Sequence, residues 1–156
     1  MTDRGRFTDE GIQFDRTLPA TPDIVWRAIT DPAEIAEWMD RTDIEPRVGG
    51  ALTVHFEGSP VTGTILVWEP PHELEYSWII DGEIESVVRF ELEPVADGTR
   101  LRLWHRALPP EQELGYAPGW HAYLDRLSAH IAGDSMPDWA ERFTTLRPEY
   151  ARREAN

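Results

Sequence analysis

Residues 73–106 read ELEYSWIIDGEIESVVRFELEPVADGTRLRLWHR, three alternating runs separated by Asp81-Gly82 and Asp97-Gly98. Asp-Gly between alternating runs is a strong hairpin signal, because type I′ turns require positive φ at both central residues. The spacing predicts strands near 73–80, 83–93 and 99–106. Working outward, Gly49-Gly50, Gly58-Ser59-Pro60 and Pro70-Pro71 bracket two more strands, near 51–57 and 61–68. A run of hairpins of this kind makes an antiparallel meander. Side chains alternate across a strand, so parity assigns faces. The inward sets are Leu52, Val54 and Phe56; Leu74, Tyr76, Trp78 and Ile80; Ile84, Val88, Phe90 and Leu92; and Leu101, Leu103 and His105. The other faces carry His55, Glu57, Glu73, Glu75, Arg89, Glu91, Arg100, Trp104 and Arg106, a mixed-charge surface suited to water. Parity gives no answer for 61–68, where both faces are apolar.

Upstream, Ile12 to Thr17 alternates as a half-buried strand. Thr21-Pro22-Asp23 then offers an N-cap, a proline at the first helical position and an acid at the positive end of the helix dipole. Ile24, Val25, Ala28 and Ile29 form the expected buried stripe. Asp31-Pro32-Ala33-Glu34 has capping-box spacing and opens a second short helix with Ile35, Trp38 and Met39 on its apolar face. After Pro118-Gly119 comes the longest helical pattern, Trp120, Tyr123, Leu124, Leu127 and Ile131, closed by Gly133. A last helix is expected from Ser135 to Leu146, carrying Trp139 and Phe143 and stopped by Pro148. The fold class is therefore α+β: a curved antiparallel sheet of about six strands wrapped around a long C-terminal helix. It forms a single domain over 1–156, with its core at about 12–131 and a helical extension at 135–150.

The 156 residues carry 40% hydrophobic content with seven Trp, five Phe and four Tyr, as a globular chain with a bulky core does. A net charge of −14 repels phosphate backbones and anionic lipid, which disfavours nucleic-acid partners. All 15 basic residues are Arg, so Schiff-base chemistry is excluded, and the lack of cysteine removes thiol nucleophiles and thiolate metal sites. No run approaches a membrane span and the first ten residues have no apolar core, so no membrane insertion and a cytoplasmic location are expected. No cofactor motif is present, and no G-x-S-x-G, G-x-G-x-x-G or Walker sequence.

Strand, two short helices, meander and long helix is the order of the helix-grip (START/Bet v 1-like) fold. Its residues carry a closer likeness in Ala20-Thr21-Pro22-Asp23-Ile24-Val25-Trp26 with Thr30-Asp31-Pro32, then Trp38, Val48-Gly49-Gly50, and Gly63 leading to Glu69-Pro70-Pro71. It continues through Leu74 with Trp78, Gly98-Thr99-Arg100-Leu101, His105, and Gly119-Trp120 with Leu124 and Leu127. In these stretches the chain resembles the bacterial SRPBCC (START-like) proteins related to the C-terminal domain of the activator of Hsp90 ATPase. The resemblance implies a cavity between sheet and long helix that, across the superfamily, takes up lipids, polyketides or other hydrophobic molecules. The eukaryotic activator has a separate Hsp90-binding N-terminal domain, to which none of these stretches corresponds.

Candidate cavity residues are Trp38, Phe56, Tyr76, Trp78, Phe90, Trp120 and Tyr123, joined by Leu103, His105 and Leu127. Aromatic walls with a few hydroxyls are what small-molecule sites use. The plainer alternative for each is a packed core position. His105 is the most suggestive polar group, inward among apolar neighbours; it either orients a ligand or is satisfied structurally at the sheet margin. His55, His72, His121 and His130 lack metal-ligand spacing, and by parity no carboxylate faces the pocket. The preferred expectation is a module that binds a hydrophobic small molecule. The alternatives are a polyketide cyclase or aromatase type of enzyme using His105 with Tyr76 or Tyr123, and an interaction protein such as a co-chaperone. Exposed Trp104 and the tail aromatics leave room for a homodimer.

Overall fold

Every strand pairing among the described residues is antiparallel. This computed structural model describes residues 4–80 and 84–155, with side chains as far as residue 151. In chain order the described elements are β1 (Arg6–Thr8), β2 (Gly11–Leu18), α1 (Pro22–Thr30), α2 (Pro32–Trp38), β3 (Thr42–Ile44) and β4 (Ala51–Val54). They continue as β5 (Val61–Glu69), β6 (Glu73–Ile80), β7 (Ser86–Val95), β8 (Gly98–Arg106), α3 (Pro110–Ala132) and α4 (Trp139–Ala155). The sheet order is β1-β2-β8-β7-β6-β5-β4-β3, so the meander β3 to β8 is closed by β2 laid along β8. This is the expected helix-grip architecture with eight strands in place of about six. The two additions, β1 and β3, are three residues each, too short for an alternating pattern to reveal.

Parity describes the concave face well. Leu52, Val54, Leu74, Tyr76, Trp78, Val88, Phe90, Leu92, Leu101, Leu103 and His105 are all buried. Ile84 departs from its expected place: it precedes β7 and is 63% exposed. The proposed turn at Asp81-Gly82 lies outside the described residues. In β5, where parity fails, a β-bulge is the cause. Ile65 pairs with Tyr76 and Val67 with Glu75, leaving Leu66 as the extra residue. One inserted residue exchanges the two faces. Val61 and Ile65 are buried before it, whereas after it Trp68 turns inward and meets Trp26 edge-on, with 5.1 Å between ring centroids. Gly63 lies in the same strand because a Cβ there would stand 1.8 Å from the Ser77 carbonyl oxygen.

The helices begin and end differently from expectation. Thr21 sits at the α1 N-cap but its side chain makes no cap hydrogen bond, and the buried stripe is Val25, Trp26, Ala28 and Ile29, with Ile24 turned to solvent. Asp31 does cap α2, accepting from Ala33 N at 3.0 Å. Glu34 makes no capping box; its carboxylate meets His130 Nε2 at 3.1 Å. Helix α3 starts at Pro110, more than two turns before the Pro118-Gly119 pair, and Pro118 is buried inside it. Proline forfeits one helical hydrogen bond there, yet the flanking Ala117, Gly119 and Trp120 are buried with it. Gly133 closes the helix in the left-handed conformation, φ 74°. Asp138, not Ser135, caps α4 through a 3.0 Å bond from Glu141 N, and the helix runs through Pro148.

Helix α4 docks by side chains. Leu146 and Tyr150 are buried, and the Tyr150 hydroxyl accepts from Gly5 N at 2.7 Å while lying 2.8 Å from His121 Nδ1. Asp125 of α3 accepts from Arg16 of β2 at 3.0 Å and from Arg142 of α4 at 2.7 Å, joining sheet and both helices. Replacing Tyr150 by Phe keeps the ring and deletes the hydroxyl, leaving buried polar partners unsatisfied. A stability loss of about 1–2 kcal/mol is expected in urea denaturation; an unchanged midpoint would show that this hydroxyl holds nothing.

Candidate functional site

The sheet does not close completely on α3. Between the Phe56 and Trp78 end of the sheet, the first half of α3 and the start of α4 lies a cavity of about 760 Å³. From the sheet side come Phe56, Trp78 and Ile80; from α3 come Tyr116, Trp120 and Tyr123; from α4 come Trp139 and Phe143. Their rings form a continuous aromatic lining. Phe56 lies 5.8 Å from Tyr123 and 6.1 Å from Trp78 between centroids, and Trp139 stacks on Phe143 at 5.0 Å. Trp139 is held by donating its Nε1–H to the Gly119 carbonyl at 3.2 Å. The floor has small residues too: Gly115 and Gly119 leave room along α3, and nothing lies within 4 Å of where a Gly115 Cβ would be.

Of the ten residues singled out from sequence, the structure brings four to this cavity: Phe56, Trp78, Trp120 and Tyr123. The other six lie in the packed core beneath it. Trp38 is buried with its Nε1–H donating to the Ala28 carbonyl at 2.8 Å, and Tyr76, Phe90, Leu103, His105 and Leu127 are at most 4% exposed. Sequence reading missed Tyr116, Trp139 and Phe143 as walls. Tyr116 stood before the expected helix start, and a tail helix gives no sign of where it folds back. It also placed every carboxylate outside. Asp40, Glu57 and Glu111 line the cavity rim. Glu57 does so because β4 ends at Val54, so strand parity no longer governs it.

His105 is fully buried within a chain of hydrogen bonds whose protons can all be assigned. Trp120 Nε1–H donates to His105 Nδ1 at 2.9 Å, which places the imidazole proton on Nε2. That Nε2–H faces Ser86 Oγ at 2.8 Å, and the Ser86 hydroxyl donates to the Trp78 carbonyl at 3.0 Å. Trp78 is pinned a second time, its indole N–H donating to the Tyr116 hydroxyl at 3.0 Å. The histidine thus orients two cavity walls, Trp120 and Trp78, and has both ring nitrogens engaged. Burial lowers its pKa from 6.5 to about 3. Burial, with the Asp40 carboxylate adding to it, pushes the Tyr123 phenol upward, so it is neutral at ordinary pH. The remaining histidines have local partners: His55 with Asp43 at 2.7 Å, His72 with the Leu92 carbonyl at 3.3 Å, His121 with Tyr150 and His130 with Glu34. Among the described residues no group of three or more His, Asp or Glu could hold a metal ion, and no helix is long and apolar enough to cross a membrane.

An eight-stranded sheet gripping one long helix over an aromatic cavity defines a START-like domain of the SRPBCC type. The chain belongs to the family described as activator of Hsp90 ATPase homolog 1-like protein, whose sequence profile matches residues 19–132. Solved structures extend the likeness across the tail. CalU16 from Micromonospora echinospora is 30% identical with a TM-score of 0.77, over 96% of this chain and 93% of that one. A protein from Bordetella parapertussis is 27% identical with a TM-score of 0.77, over 95% of this chain and 88% of its own. DynU16, a protein in the dynemicin biosynthetic locus, is 26% identical with a TM-score of 0.74, over 81% of this chain and 49% of its own. A comparison with curated protein sequences finds no match.

The neutral His105 gives stability a pH signature. The unfolded chain takes up this proton near pH 6.5, but the folded protein resists it down to about 3. The unfolded state therefore binds more protons between those values, and stability falls as pH drops through that window. A His105→Gln variant should be less stable at neutral pH and should lose part of this slope in chemical denaturation. A variant with the wild-type slope would place the acid sensitivity elsewhere.

Proposed function

We propose that this protein is a binding module for a hydrophobic, ring-containing small molecule, of the lipid, polyketide or aromatic kind, held between the open end of the sheet and α3. The observation that carries this reading is the 760 Å³ cavity, within the range of about 300–1,000 Å³ typical of small-molecule sites, to which the sheet side, α3 and α4 each contribute aromatic walls. Rigid aromatic walls present large apolar area at little cost in side-chain entropy. The similarity to a protein in the dynemicin biosynthetic locus supports a biosynthetic product or intermediate as ligand. The hydrogen bonds around His105 favour binding over proton-transfer catalysis, since this imidazole lies behind Trp78 and Trp120 with both nitrogens occupied.

Gly115 offers a test that separates the cavity from the fold. It is exposed on α3 with open space around its missing side chain, so Gly115→Phe should fill the cavity without disturbing the core. Loss of a helical glycine should hold or raise thermal stability, by up to about 1 kcal/mol. A thermal-shift and native mass spectrometry panel of aromatic polyketides, lipids and polycyclic aromatics should find ligands for the wild type that Gly115→Phe binds at least about tenfold more weakly. Equal binding by both proteins would exclude this cavity as the site.

A further inference from the structure

The aromatic walls say that the ligand has an apolar body, but the rim carries separate information. Among the described residues, those that line the cavity and carry charge are all acidic: Asp40, Glu57 and Glu111. Ser59 and Gln112 beside them are neutral, and among the described residues no arginine lines the cavity. Arg126 is felt at the Tyr123 phenol, but its side chain is committed elsewhere. Its guanidinium donates to the carbonyls of Trp38 at 3.0 Å, Pro137 at 2.5 Å and Glu37 at 3.2 Å, binding the end of α2 to the turn before α4. It therefore neutralises none of the rim carboxylates by direct pairing.

Asp40 is the member placed to matter most. It is half-buried, its Oδ1 accepts from Arg41 N at 2.8 Å, and its charge reaches the Tyr123 ring that walls the cavity. A carboxylate or phosphate head group would enter against three like charges. A cation would be attracted by the same charges and by the negative faces of the tryptophan and tyrosine rings beneath them. Resting on the small-molecule reading above, we propose that the cavity selects hydrophobic molecules bearing a protonated amine, with the ring body against Trp78, Trp120 and Tyr123 and the ammonium held at the Asp40, Glu57 and Glu111 rim.

The test uses three probes that share one skeleton: 9-(aminomethyl)anthracene, 9-anthracenemethanol and anthracene-9-carboxylate, titrated calorimetrically into the full chain near neutral pH. The amine should bind at least about tenfold more tightly than the carboxylate, with the alcohol between them, and the gap should narrow from about 20 to about 200 mM salt. Asp40→Asn removes the charge while keeping an oxygen to accept from Arg41 N. It should reduce the amine-to-alcohol affinity ratio by about threefold or more. If amine, alcohol and carboxylate bind equally, or the carboxylate binds best, the cation preference is overturned and the hydrophobic site stands. If none of the three binds the wild type better than Gly115→Phe, the site and the preference fall together.

Discussion

The bond from the Trp120 indole to His105 Nδ1 spans the gap between α3 and the middle of the sheet, and the rest of the cavity's geometry follows from it. Apolar packing alone would let a long helix slide along a concave sheet, since burial is non-directional. A fully buried donor meeting a fully buried acceptor admits one register, because any displacement leaves both groups without partners. The same imidazole passes its constraint through Ser86 to the Trp78 backbone, so one sheet wall and one helix wall are placed by a single polar residue. Tyr116 then meets the Trp78 indole from the helix side, closing a loop of contacts around the opening. The cavity is what remains where this array ends and the sheet diverges from the helix.

Much of the architecture was legible because the sheet obeys a period of two. The β7–β8 hairpin, the inward sets of β6 to β8 apart from Ile84, and the Trp120 stripe are present as expected, but the turn falls on Ala96-Asp97, neither of which has positive φ, and Gly98 opens β8 in place of sitting in a type I′ turn. What could not be read has local physical causes. The bulge at Leu66 exchanges faces within β5, and only pairing with β6 reveals it. Pro118 and Pro148 read as helix boundaries in the sequence, yet both lie inside helices: Ala117, Gly119 and Trp120 are buried around Pro118, and buried Leu146 and Tyr150 anchor α4 on either side of the exposed Pro148. Arg16 was within reach: parity with Ile12 and Phe14 puts it on the inward face, and it proves buried, pairing with Asp125.

The site was less legible than the fold for a related reason. Parity separates inside from outside but does not separate a packed interior from a lined void. Tyr76, Phe90 and Leu103 share a face with Trp78 yet sit deeper, where the helix covers them. The rim residues Asp40, Glu57 and Glu111 belong to segments beyond strand ends or at a helix start, where no periodic rule applies.

Helix α4 is attached differently from the sheet side of the cavity. The helix supplies Trp139 and Phe143 to the cavity but lies beyond residues 19–132, and its attachments are side-chain bonds and apolar contacts, with no strand pairing. The sheet side of the cavity, by contrast, is interlocked by backbone ladders from strand to strand. Substitutions at Trp139 or Phe143 reshape one wall and leave the strand ladders intact, while Arg142 and Tyr150 keep the helix tied to the frame. One wall of the cavity can thus change shape without any strand moving.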